Sequence, residues 1–228
     1  MATFVLRVWL ADRPGALGAV ATRVGAVRGD VVGIDIIDRG AGRAIDELVV
    51  ELPDAGLVDL LLAEIAEVDG VDVEHVRALD ATPEDPSVLA LEVARRVHAA
   101  VGDGERCREL VEGASRLLSC DWAALVDPAA RRVVHATGEG VPDDGWLCAF
   151  VLGATATEAA PGLSELAVAE LSSDGTVLVV SRTHSPLRGR EQRVLQGLAD
   201  LLGADPNTGS VMRGQGQGPD LAAQNGGR

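Results

Sequence analysis

The stretch Asp12-Arg13-Pro14-Gly15-Ala16-Leu17 narrows what this chain can fold into more than any other. Before it, Phe4, Leu6, Val8 and Leu10 alternate with Thr3, Val5, Arg7 and Trp9, the period of a strand. After it, Leu17, Val20, Val24 and Val27 recur at helical spacing. A sharp strand-to-helix turn has to join them. Pro14 is preset for the first turn of a helix, where its missing N–H costs nothing. Asp12 is placed to cap that helix and complement its positive end. Gly15 carries no Cβ, so a ligand can approach the backbone closely. An exposed helix N-terminus offers N–H groups that suit a carboxylate. The same six residues also suit an ordinary turn.

The pattern continues through the first eighty residues. Val31 to Asp38 is predicted as a strand with Val32, Ile34 and Ile36 on one face and Asp35 on the other. Arg39-Gly40-Ala41-Gly42 is a hairpin connection. In Arg43 to Leu52, Leu48, Val50 and Leu52 point inward and Glu47 and Glu51 outward. Pro53-Asp54 opens a helix striped by Leu57, Leu61, Ile65 and Val68, and Val71 to Glu74 is a short strand. The order is βαββαβ, an α+β unit with a ferredoxin-like antiparallel sheet and both helices on one face.

In this order and at this turn, residues 3 to about 79 resemble an ACT domain, whose D-x-P-G-x-L turn corresponds to Asp12 through Leu17. The resemblance implies binding of a small effector, most often an amino acid, at that turn. Asp12, Pro14, Gly15, Ala16 and Leu17 would form the ligand-binding turn, with Leu17 also facing the core. Family members commonly pair side by side, which implies a homodimer. Many amino-acid-binding members place Asn after a Gly at the start of the second strand. Here the pair is Gly29-Asp30. Asp30 can hold an ammonium group but repels a carboxylate.

Asp80 to Pro86 is acidic and contains two prolines, and the linker is set at 81–86, after an ACT-like domain at 1–80. Ser87 can cap a helix bearing Leu89, Val93, Val97 and Val101, an apolar stripe suited to a partner. Gly102-Asp103-Gly104 breaks it, and a second helix carries Cys107, Leu110, Val111, Ala114, Leu117 and Leu118. Strands follow at Asp121 to Asp127 and Arg132 to Ala136. Trp146 to Leu152 fits a helix or a buried strand equally. Leu166 to Leu171 and Thr176 to Arg182 flank Asp174-Gly175, a hairpin signal, and a last helix bears Val194, Leu195, Leu198, Leu201 and Leu202. Residues 87–204, with Val177 to Val180, Arg182, Pro186-Leu187, Glu191 and Leu195 to Ala199, resemble a GAF domain with a central antiparallel sheet. Such domains bind small ligands or simply dimerise. Its central segment, Thr137 to Leu163, is short and poor in polar side chains, which argues against a large cofactor. Residues 205–228 are rich in Gly and Gln and predicted disordered.

Composition removes other classes. The formal net charge is −15, and all 20 basic residues are Arg. That balance argues against nucleic acid as a partner, and only two Phe, three Trp and no Tyr are present to stack on bases. No run reaches the length of a membrane span, and Met1 to Phe4 lacks the charged start of a signal peptide. Cys107, Cys120 and Cys148 lack metal-ligand spacing and are expected as reduced thiols. A cytoplasmic protein without membrane association is expected.

His75, His98, His135 and His184 fall in separate elements and show no zinc spacing, so no metal is expected. Cys120 is read as a small buried hydrophobe. Asp35, Asp38, Asp46 and Glu47 cluster near the first hairpin; they could invite a cation, but solvation of a sheet face is the better reading. No catalytic constellation and no cofactor motif is found. The expectation is a non-catalytic regulator that senses an amino acid and signals through an unknown protein partner. The alternatives are a dimeric interaction scaffold with vestigial pockets and an enzyme with an unrecognised site.

Overall fold

The computed structural model describes residues 1–79, 84–156, 165–171, 175–183 and 185–203. Residues 81–83 of the expected linker, residues 157–163 of the central segment, Ser172 to Asp174 of the second hairpin, His184 and the 205–228 tail lie outside the described residues. The described part is mixed α+β, with two antiparallel four-stranded sheets.

The first sheet joins β1 (Ala2–Ala11), β2 (Asp30–Gly40), β3 (Arg43–Leu52) and β4 (Asp72–Leu79) in the order β2-β3-β1-β4. Phe4, Leu6, Val8 and Leu10 of β1 are buried, because alternate side chains share one face. Helices α1 (Ala16–Ala26) and α2 (Val58–Ala66) bring Val20, Val24, Leu61 and Ile65 onto that face. Each such side chain contributes about 1.5–3 kcal/mol by leaving water. Ala41 and Gly42, at φ +53° and +76°, form a two-residue turn closed by the Gly40–Arg43 pair. Two successive left-handed residues match the strand twist.

Val32, Ile34 and Ile36 depart from an inward-facing stripe. They are 41%, 52% and 40% exposed. Ile34 stands opposite Leu48 and so shares the helix side of the sheet. The two helices leave this edge strand open.

The second sheet joins β5 (Trp122–Asp127), β6 (Arg132–Gly138), β7 (Leu166–Glu170) and β8 (Val177–Ser181) in the order β6-β5-β8-β7. Both of its faces are covered. Ala123, Leu125, Leu178 and Val180 pack against α3 (Pro86–Ala99), α4 (Asp103–Leu117) and α6 (Gly189–Gly203). Trp122, Ala124, Val126, Val177 and Val179 pack against α5 (Asp144–Ala156). Double burial explains why β8 reads as a continuous apolar run. The ambiguous stretch at Trp146 is helical: Leu147, Cys148 and Val151 turn inward together while Trp146 and Leu152 stay exposed. Helix α3 starts one residue before its expected cap. Asp85 accepts from the Ser87 and Val88 N–H groups at 2.7 and 3.3 Å, and Pro86 fills the first turn.

Helices α3 and α4 touch closely at Gly113, where an added Cβ would lie 2.5 Å from Val93 Cγ1. Gly113→Val is therefore expected to lower stability by about 2–3 kcal/mol through overpacking. Pairing it with Val93→Ala should give a loss well below the sum of the single losses. Urea unfolding of the four proteins measures both effects.

Candidate functional site

The turn between β1 and α1 is built by its main chain. Asp12 N–H donates to the Gly42 carbonyl at 2.9 Å, and Arg13 N–H donates to that of Ala11 at 2.8 Å. This pins Asp12 to the β2–β3 hairpin, three residues ahead of the helix cap. Asp12 therefore does not cap α1, and Pro14 does not open it. Gly15 is the N-cap, at φ +88°, and no side chain caps the helix. A Cβ on Gly15 would meet nothing within 4 Å. Glycine stands there because the left-handed backbone strains other residues, while the space beside it is open.

Ala16 is buried, Leu17 is half-buried against the core, and Asp12, Pro14 and Gly15 are exposed. Ala16 N–H reaches the Arg13 carbonyl at 3.3 Å, and the first helical bond runs from Ala19 N–H to the Gly15 carbonyl. The N–H groups between them have no intrahelical acceptor. The fold thus brings Asp12, Pro14, Gly15, Ala16 and Leu17 together. Asp30 is exposed at the start of β2, beyond the far end of α1. Eleven helical residues span about 16 Å, so Asp30 does not join the turn of its own domain.

One residue of this region is buried where the sequence suggested solvent. Asp46 is 4% exposed, and its Oδ1 has no hydrogen-bond partner. It lies opposite Val8 and Ile36, on the same face as Ala44 and Leu48. Burial raises its pKa; Arg39 pulls it down, and Asp12 pushes it further up. The alternation of Ala44, Leu48, Val50 and Leu52 carried the signal, since position 46 shares their parity.

Solvation of a sheet face, the reading given to Asp35, Asp38, Asp46 and Glu47, is thereby corrected. Only Asp38 stays exposed, accepting from the Arg39 N–H at 2.8 Å. Asp35 pairs with Arg190, and Glu47 with Arg7 at 2.9 Å. The face expected to be wet is covered by the start of α6 and the segment before it. Arg7, 1% exposed, donates to Glu47, to both Glu191 oxygens and to the Pro186 carbonyl. Burial opposes its charge, but pairing with Glu191 and then Glu47 outweighs burial, and its pKa is raised. Glu191 also accepts from Arg182 at 2.6 Å and from the Arg188 N–H at 3.0 Å. Arg43 and Arg188 lie over the Trp9 ring at 5.1 and 4.9 Å, and Glu74 accepts from Arg188 at 2.5 Å and from the indole N–H at 3.3 Å.

Other groups are chemically quiet. Burial pushes the Cys120 thiol up to about 12, which keeps it protonated near neutral pH. His135 Nε2 lies 3.8 Å from Glu112, and His98 is exposed. Among the described residues, no group of His, Cys, Asp and Glu is arranged to hold a metal ion, and no helix is long and apolar enough to cross a membrane.

No family model and no curated protein matches this chain. Among solved structures it is similar to the ACT domain of a GTP pyrophosphokinase from Chlorobium tepidum, at 15% identity and a TM-score of 0.28, covering 35% of this chain and 100% of that one. A formyltetrahydrofolate deformylase from Pseudomonas putida matches at 19% identity and a TM-score of 0.28, over 42% of this chain and 38% of that one. An unknown protein from Galdieria sulphuraria matches at 13% identity and a TM-score of 0.29, over 79% and 80% of the two chains.

Two outcomes are expected from the charges. Asp46 releases its proton at lower pH when unfolded than when folded, so it costs stability as pH rises through its folded value. Asp46→Asn should therefore raise stability at neutral pH, by about 1 kcal/mol. That gain should vanish below the ordinary carboxylate range, a dependence that thermal melts across pH can read. Glu191→Gln leaves Arg7 and Arg182 buried beside a neutral group and should cost about 3 kcal/mol. Arg7→Met combined with Glu191→Leu should lose much less than the two single changes together, as measured in urea.

Proposed function

We propose that this chain is a non-catalytic regulator whose first half is a ferredoxin-like ACT domain sensing an amino acid at the β1–α1 turn. Its boundaries are residues 1–80, and residues 87–204 form a GAF-like domain that passes the signal to a protein partner. The observation that carries this reading is the pairing of opposite charge preferences at one turn. The uncapped start of α1 offers N–H groups and a positive helix end to a carboxylate. Asp12, close enough to the buried Asp46 to raise the pKa of Asp46, offers negative charge to an ammonium group, and Asp46 Oδ1 has no hydrogen-bond partner among the described residues. A free amino acid carries both. Among the described residues, an enzyme reading finds no comparable assembly of nucleophile, base and oxyanion donors.

The homodimer belongs to the same proposal. Strand β2 is an edge, and its exposed Val32, Ile34 and Ile36 suit a second copy. Such pairing would bring Asp30 of a neighbouring domain toward the turn. The same exposed stripe favours a second reading, a dimeric scaffold whose turn binds nothing.

Calorimetry with each of the twenty amino acids, alongside light scattering for mass, separates the two. The expected result is a dimer that binds one amino acid, with affinity lowered at least tenfold, about 1.4 kcal/mol, by Asp46→Asn and by Gly15→Val. Melting curves show that each variant remains folded. A folded dimer that binds no amino acid at millimolar concentration leaves the scaffold reading in its place.

A further inference from the structure

The two halves enclose a cleft apart from the β1–α1 turn, with Glu47, Arg182 and Glu191 of the charge network along one wall. A cavity of about 530 Å³ lies between β2 and β3 on one side and α3, α4 and α6 on the other. Its walls are largely apolar, with Ile37, Ala90, Leu91, Leu117 and Val194 among them. It shares Glu47, Leu117, Ser119 and Arg190 with an adjoining space of about 700 Å³, which opens onto Arg77. Volumes of this size are those of small-molecule pockets.

Arg77 is the unspent charge of this cleft. It sits on β4 opposite Val5, on the sheet face that meets the second half. Its hydrogen bond among the described residues runs to Ser119 Oγ at 3.4 Å, and no carboxylate among those residues lies within ion-pair distance. Three of the nearby carboxylates are already engaged. Glu47 holds Arg7, Asp35 holds Arg190, and Asp85 accepts from the start of α3. Glu84 stands exposed at the rim. Burial, with Arg182 and Arg7 close by, lowers the Arg77 pKa although Glu47 raises it, so its charge lacks full compensation. A half-buried guanidinium is stabilised by a bidentate anion.

We propose that this cleft binds a small carboxylate with an apolar body, its carboxylate on Arg77 and Ser119 and its body against Leu117, Leu91 and Val194. One cation uncommitted among the described residues matches one negative charge. A phosphate dianion would need a second cation, and Arg190 is paired while Arg116 is exposed and lies 4.0 Å from Glu92. The walls come from both halves, so a bound ligand would tie their docking to its own concentration. This site is separate from the β1–α1 turn and does not depend on what binds there.

Hexanoate is the probe, with hexanamide and inorganic phosphate as controls, titrated into the full chain by calorimetry. Saturable hexanoate binding is expected, with hexanamide and phosphate at least tenfold weaker. Arg77→Gln should weaken hexanoate at least tenfold while the melting curve stays cooperative. Ala90→Trp should abolish binding by filling the apolar space with Arg77 still present, and it decides the matter if Arg77→Gln does not fold. Equal binding of hexanoate and hexanamide, unchanged affinity in either folded variant, tighter binding of phosphate, or no hexanoate binding at millimolar concentration would each overturn the proposal.

Discussion

A guanidinium out of water in the middle of a β-strand is the constraint on which the arrangement of this chain depends. Arg7 is 1% exposed, and a charge so placed is costly unless it is paired and hydrogen-bonded. Its own sheet supplies one carboxylate, Glu47, directly opposite in the β1–β3 ladder. The second, Glu191, comes from the first turn of α6. Neither half satisfies Arg7 alone. The docking of the two halves is consequently set by hydrogen-bond geometry and not by apolar area alone.

The network reaches beyond one ion pair. Arg182 joins Glu191 to the carbonyls of Ser185, Pro186 and Leu118, so the segment before α6 is held at several points. Trp9, two residues along the same face of β1, lies between Arg43 of the first sheet and Arg188 of the second half. Cation–π contacts of this kind add roughly 0.5–1 kcal/mol each when partly exposed. The same strand then ends at Ala11, where the candidate ligand turn begins. Strand β1 is thus common to the turn and the interface. A shift at one is felt by packed neighbours of the other, because close-packed interiors transmit displacement.

Local pattern carried much of the architecture. Strand β3 was legible from Arg43 to Leu52 because alternation and hairpin chemistry depend only on near neighbours. The glycine of the opening turn was legible too, though for a different physical reason: its φ of +88°, not an occupied close approach, requires it. The helix start was misplaced because the main-chain bond from Asp12 to Gly42 joins residues thirty positions apart. The same limit applied to Asp35 and Glu47, which read as solvated when only their own strands are considered.

By itself, the sequence determined the periods, the turns, the strand and helix order of the first eighty residues and the formal net charge of −15. Each of these follows from side-chain spacing or summed charge. Tertiary structure alone decided that Arg7 is buried, that Glu191 and Arg190 answer the charges of the first sheet, that Asp46 Oδ1 has no hydrogen-bond partner among the described residues and that a cleft opens beside Arg77. Those facts depend on which residues far apart in the chain come within a few ångströms. Coulombic and desolvation energies change steeply over that distance, and spacing along one strand does not encode it.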